Sequence, residues 1–124
     1  MTPEQRHRQG VAERDGLTCW IEDETCSGRT QADHLIPRQT LARLHRLAHP
    51  TRSSYVPPIA RGMIGIPVDV LISDPRNGRM LCSARHHLRK DLLTRDDLPG
   101  EFFEFVEQFG LAWWLDEHYP EGNG

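Results

Sequence analysis

Three cysteines and a histidine do most to limit what this chain can fold into: Cys19, Cys26, Cys82 and, four residues later, His86. The chain has 124 residues, 37% of them apolar, with a mean hydropathy of −0.60. A single domain of that size and composition builds a modest core and gains from a structural metal. Cys19 and Cys26 flank a polar turn, and Cys82 lies at a second turn. Two such knuckles, each giving two ligands, make a closed tetrahedral zinc site. Three cysteines give only three ligands, so a fourth has to come from near Cys82, where His86 can reach back around one turn. An odd number of cysteines also argues against a disulfide framework. The spacing from Cys19 to Cys26 exceeds the usual two to four intervening residues. The competing reading is therefore three buried thiols with unrelated roles.

Local signals place the elements. Thr2-Pro3-Glu4 opens a helix running to about residue 15, with a cap residue, proline in the first turn and an acid behind it; Gly16 stops it and Val11 is its core candidate. Residues 17–21 and 29–35 read as an antiparallel strand pair. Residues 40–49 have helical spacing, with Leu41, Leu44 and Leu47 on one face and Arg43 and Arg46 on the other. Residues 68–72 read as a strand. Asp74-Pro75-Arg76-Asn77-Gly78 is a turn, and Ser83 caps a helix running to about residue 94. After Pro99-Gly100 a last helix presents Phe102, Phe105, Val106, Phe109 and then Trp113 on one face, with Phe103 and Trp114 off it and a break at Gly110. That face packs on the core or, alternatively, meets a protein partner or a second copy of the chain. No apolar run approaches the ~20 residues of a membrane span, and the polar start lacks a signal segment. The expectation is a cytoplasmic protein without a membrane partner.

Charge is unevenly spread. Residues 1–28 hold three basic and six acidic residues, residues 29–90 eleven and three, residues 91–124 one and nine. A basic middle between acidic ends suits a surface that faces phosphate, although arginine as a plain surface cation is the simpler account.

Within that basic middle, Gln31-Ala32-Asp33-His34-Leu35-Ile36-Pro37-Arg38 sets an Asp beside a His. A carboxylate and a histidine can hold magnesium or manganese and leave coordination positions open. A histidine not bound to the ion can take a proton from water, because its pKa lies near neutral. An isolated Asp-His pair is more often structural than catalytic.

The order of these pieces resembles the HNH endonuclease family. Val11-Ala12-Glu13-Arg14-Asp15-Gly16 followed by Cys19 is similar to that family's opening helix and first zinc knuckle. Ala32-Asp33-His34-Leu35-Ile36-Pro37-Arg38 is similar to its first motif. Asn77, Cys82 and His86-His87-Leu88-Arg89-Lys90 follow in the family's order. The resemblance implies an α+β fold: a ββα-metal core at about residues 8–94, a structural Zn2+, an N-terminal helix and an added C-terminal helix over 97–119, all in one domain of residues 1–124. It implies a hydrolase that cuts DNA phosphodiester bonds with a divalent ion, Mg2+ or Mn2+. His34 would be the general base, Asn77 would orient it by a hydrogen bond, and Asp33 and a histidine of the closing helix would hold the ion.

Two departures matter. Arg85 stands where the family has a zinc ligand. Counting from Asn77 makes His86 the catalytic ligand and leaves zinc one donor short. Counting back from Lys90 makes His87 catalytic and gives His86 to zinc with Cys19, Cys26 and Cys82. The second register satisfies both metals and is preferred. The other departure is an insertion of about residues 39–73, carrying Arg43 and Arg46 as candidate DNA contacts; Arg38 and Lys90 are closer candidates for the scissile phosphate. The alternative to an enzyme is a zinc-stabilised, catalytically inactive module of the same fold that binds DNA or protein. His45 and His49 also lie one helical turn apart, as metal ligands do, but exposed helix histidines are commoner.

Overall fold

The computed structural model describes residues 1–121; positions 122–124 of the domain assigned from sequence lie outside the described residues. The chain opens with helix α1 (Pro3–Asp15), where Thr2 Oγ1 accepts from the Gln5 amide (3.1 Å) and Gln5 Oε1 accepts from the Thr2 amide (2.8 Å). This reciprocal cap satisfies two helix-end donors. Only His7 and Val11 of α1 are buried, so the helix docks largely through polar contacts. Arg14 donates to the carbonyls of Gly78 (2.6 Å) and Pro75 (3.2 Å), and is held by Asp15.

A two-stranded antiparallel sheet follows, β1 (Thr30–His34) against β2 (Gly78–Cys82), with Thr30 opposite Cys82 and His34 opposite Gly78. The expected partner of β1, residues 17–21, is not a strand: it forms a bent segment that touches β2 through one bond, Trp20 N–H to the Met80 carbonyl. Nearest-neighbour pairing misleads here because residues 83 and 84 close on the polar turn instead. The Ser83 amide donates to Arg29 O (2.7 Å) and the Ala84 amide to Ser27 O (3.0 Å), which brings β2 alongside β1.

Between the strands come α2 (Arg38–Ala48), a 3-10 turn at Pro58–Met63 and α3 (Val68–Ser73). The expected strand at 68–72 is thus a short helix. Pro67 at its cap and burial of Leu71 against the core override the β-propensity of a valine- and isoleucine-rich run. In α2 the buried residues are Leu41, Leu44 and Ala48, while Leu47 faces solvent.

After β2 the expected closing helix of residues 83–94 is absent: the backbone makes irregular turns and a 3-10 turn at Lys90–Leu92. Two short helices end the chain, α4 (Gly100–Gln108) and α5 (Ala112–His118). The break falls at Gly110, as expected. It shifts the phase, so Trp114 is buried and Trp113 only half-buried, the reverse of an unbroken stripe. Phe102, Phe105, Val106 and Phe109 face the interior, in one core with Leu35 and Ile36 after β1 and with α2 and α3.

Candidate metal cluster and catalytic face

Two groups of chemistry-bearing side chains lie at opposite faces of the sheet's end. The first is Cys19, Cys26, Cys82 and His86, whose donor atoms all lie within 4.8 Å of one another. Among the described residues this is the one such group of three or more. His86 Nδ1 is 3.0 Å from Cys82 Sγ, 3.4 Å from Cys19 Sγ and 3.6 Å from Cys26 Sγ. With zinc–sulfur bonds of about 2.3 Å and zinc–nitrogen of about 2.0 Å, a tetrahedral site puts its donors roughly 3.5–3.8 Å apart, so the cluster is close to the size of a zinc site.

Supporting contacts point the donors inward. The His86 amide donates to Cys82 Sγ (3.3 Å), and the far ring nitrogen of His86 faces Asp23 Oδ2 at 3.3 Å. A carboxylate on the second nitrogen fixes the ring and tautomer of a metal-binding histidine. Burial would raise the Cys82 thiol, but amide hydrogen bonds from His86 and Ser27 outweigh it and lower the pKa to about 6. Burial and the neighbouring thiols push Cys26 up to about 11. A divalent cation resolves that conflict by taking the proton's place on sulfur. Gly28 makes the turn possible: its φ is +82°, and a Cβ there would lie 3.0 Å from the Ala84 amide nitrogen and 2.6 Å from Ser83 Oγ.

The second group surrounds Asp33. Its side chain is buried, with Oδ1 on Lys90 Nζ at 2.5 Å and 3.5 Å from His87 Nδ1. Asp33 Oδ2 and His87 Nδ1 are buried without a hydrogen-bond partner. A carboxylate oxygen and an imidazole nitrogen on neighbouring side chains are donor types that can hold a cation, while Lys90 already occupies Asp33 Oδ1. Consecutive residues in the tight turn therefore face different groups, His86 the cysteines and His87 Asp33.

His34 points the other way along the strand. Its Nε2–H donates to Ile72 O (3.0 Å), which leaves Nδ1 as the basic nitrogen, and burial lowers its pKa. Its ring stacks on His7, centroids 3.5 Å apart and 13° between planes. His7 donates from Nε2 to Asn77 O (2.9 Å) and passes over Gly78, where any Cβ would lie 2.5 Å from that nitrogen.

Asn77 is placed differently from expectation. It makes no bond to His34; its side chain clamps the Ile36 peptide, accepting from the amide at 2.7 Å and donating to the carbonyl at 3.0 Å. It thus fixes the backbone two residues beyond His34 rather than the imidazole itself.

The four candidate phosphate contacts divide. Arg38 is exposed and pairs with Glu4 (3.0 Å), and Lys90 sits on Asp33. Arg43 and Arg46 lie on the outer face of α2, beside an open groove, with no ion pair among the described residues. His49 spends both ring nitrogens, on His45 O and the Gly65 amide (2.9 Å each), which removes it as a metal ligand.

Two residues went unread in the sequence. His7 could have been found as the buried partner of Val11 one helical turn away, on a helix face with little else apolar. Arg79 carried no signal: it stands opposite Asp33 in the sheet, is fully buried, and donates to Asp97 O (3.0 Å) and the Tyr119 hydroxyl (3.3 Å). No family model matches the sequence, and neither a curated protein nor a solved structure matches the chain. No helix among the described residues is long and apolar enough to cross a membrane.

Proposed function

We propose that this chain is a divalent-metal-dependent DNA endonuclease of the HNH type. One observation carries the proposal: His34 has its Nε2–H committed to Ile72 O, which leaves Nδ1 free, and the residue before it in the strand, Asp33, is a buried carboxylate with an unpartnered oxygen. A neutral imidazole held in one tautomer is what a general base for water requires. Asp33 and His87 would hold Mg2+ or Mn2+. When bound, such an ion stabilises charge on the departing oxygen. His34 Nδ1 takes the proton from the attacking water. Asn77 and His7 keep the His34 backbone and ring in place. Lys90, half-exposed on Asp33, and Arg38 are the cations nearest to where a phosphate would sit, and Arg43 and Arg46 extend the basic surface. Cys19, Cys26, Cys82 and His86 would hold the structural Zn2+.

A second reading keeps the zinc cluster and drops the chemistry: a module that binds DNA or protein. The missing closing helix and the Lys90–Asp33 ion pair, which already neutralises the carboxylate, favour it. Incubating supercoiled plasmid with the zinc-loaded protein and magnesium or manganese separates the two. Nicking that needs the added ion and disappears in His34→Ala and His87→Ala, both folded, supports the enzyme. A folded, zinc-loaded protein that cuts no DNA leaves the binding module.

A further inference from the structure

Beside the proposed catalytic face is an open cleft of about 340 Å³ whose lining includes His34, Lys90 and Asp91 together with Trp114, His118 and Tyr119. The last three come from the C-terminal extension. His118 is exposed and lies flat on the Trp114 indole, ring centroids 4.2 Å apart and 15° between planes. Its Nδ1–H donates to Trp114 O (2.9 Å), which leaves Nε2 as an acceptor on the solvent side. Tyr119 is tied by its hydroxyl to Arg79, the residue paired with Asp33 across the sheet. The extension is thus fixed to the strand pair that carries the proposed chemistry. Its nearby acids are largely engaged: Asp91 by Arg89 (3.0 Å) and Asp116 by Arg95 (3.3 Å). What the cleft offers is the exposed His118 ring and part of Tyr119 next to a lysine.

We propose that this cleft is a nucleobase subsite, which receives one unpaired base flanking a phosphate held at Lys90, beside His34. The preferred substrate is then single-stranded or locally unpaired DNA rather than regular duplex. The cleft is at the small end of ligand pockets, a size that suits one nucleoside. Stacked rings that present a face and one acceptor suit a base, whose face stacks and whose exocyclic amine donates. A duplex keeps its bases inside the stack and has none to offer. This inference rests on the nuclease reading for its account of Lys90 and His34, but it is tested by binding alone.

The test uses the full, zinc-loaded chain without added divalent ion. A fluorescein-labelled ten-nucleotide DNA single strand is compared with its blunt duplex by fluorescence polarisation, with inorganic phosphate as the competitor for charge alone. Expected are single-strand binding at least ten-fold tighter than duplex, poor competition by phosphate, and a roughly ten-fold loss in His118→Ala, the scale of one lost base–aromatic stack. His118→Phe, which keeps the ring, should restore most of it. His118→Ala also uncovers Trp114, so His118→Phe, which keeps the ring over the indole, is the control for packing. Equal affinity for strand and duplex, or His118→Ala binding as tightly as wild type, overturns the subsite. Its failure is separable from that of the nuclease: plasmid cut with His118→Ala neutral in binding removes the cleft alone, whereas ring-dependent strand binding without any cleavage removes the enzyme alone.

Discussion

The two sides of this small fold hold together by different physics. Around α2, α3, α4 and α5, sixteen buried apolar residues form one cluster that also takes in Leu35 and Ile36 beyond β1. Around residues 19–26 and the far end of β2, the buried apolar set is only Cys19, Leu81 and Cys82. The first region can fold on apolar burial. The second has polar turns, and two of its three core residues give their sulfur atoms to a four-residue cluster that could hold a metal ion. The proposed catalytic residues lie along the seam: Asp33 and His34 come from the strand between the regions, and His87 from the turn beside that cluster. The insertion and the C-terminal extension, which look like additions when the sequence is set beside the HNH pattern, supply most of the core.

Breaking the ligand set should have the largest effect. Cys82→Ser, or chelation, removes an interaction worth on the order of 10 kcal/mol in small zinc domains, comparable with the whole stability of a domain. Expected are loss of bound zinc and of the cooperative melt, with hydrogen-exchange protection vanishing first at residues 17–30 and 79–93. Wild-type melting in Cys82→Ser would remove zinc from the account. On the other side, Phe105→Ala empties a fully buried ring site packed 4.9 Å from Phe109. It should cost about 3–5 kcal/mol in a denaturant titration while zinc content stays unchanged, and coupled loss of zinc would show that the two sides are one unit.

A third test works at the seam. Burial, then the neighbouring His34, lowers the His7 pKa from 6.5 to about 4. The unfolded chain therefore binds a proton more readily than the folded one. Stability is full above pH 6.5, falls as pH drops toward 4 and levels off below, a loss of about 3 kcal/mol. His34, also lowered, acts in the same direction. Urea midpoints between pH 7 and 4 should show this, and the slope should flatten in His7→Gln. A more local effect is expected from Gly28→Ala, which forces a side chain into the left-handed region for about 1–2 kcal/mol, presses it on Ser83 and the Ala84 amide, and should weaken zinc binding more than it lowers helical content.

Local sequence signals proved sound where the cause is local. Thr2-Pro3 caps α1, Leu41 and Leu44 turn α2 inward, and Gly110 breaks the last helix where it was expected to. The choice of His86 over His87 for the cysteine cluster was also legible, because only one register gives four donors. Long-range pairing was not. β1 pairs with a strand more than forty residues away, where a nearer segment also fits a strand pattern. The helix at Val68–Ser73 owes its form to packing that propensity does not see. Asn77 could be picked out as a residue of consequence, but that it grips Ile36 instead of His34 depends on how two loops meet. The stacked pair of His7 and His34 joins a residue of α1 to the end of β1, and no spacing rule connects them.

One feature of β2 bears on how the molecule behaves in company. Its outward-facing carbonyls are all taken within the chain: Gly78 O by Arg14, Met80 O by the Trp20 amide, and Cys82 O by the His87 amide, while the Met80 amide donates to Asp15 (3.0 Å). An exposed strand edge invites a third strand from another molecule, the first step of edge-to-edge aggregation. Here the invitation is withdrawn by α1 and the two turns, so this sheet stops at two strands, and chains crowded together have no ladder on that side to extend.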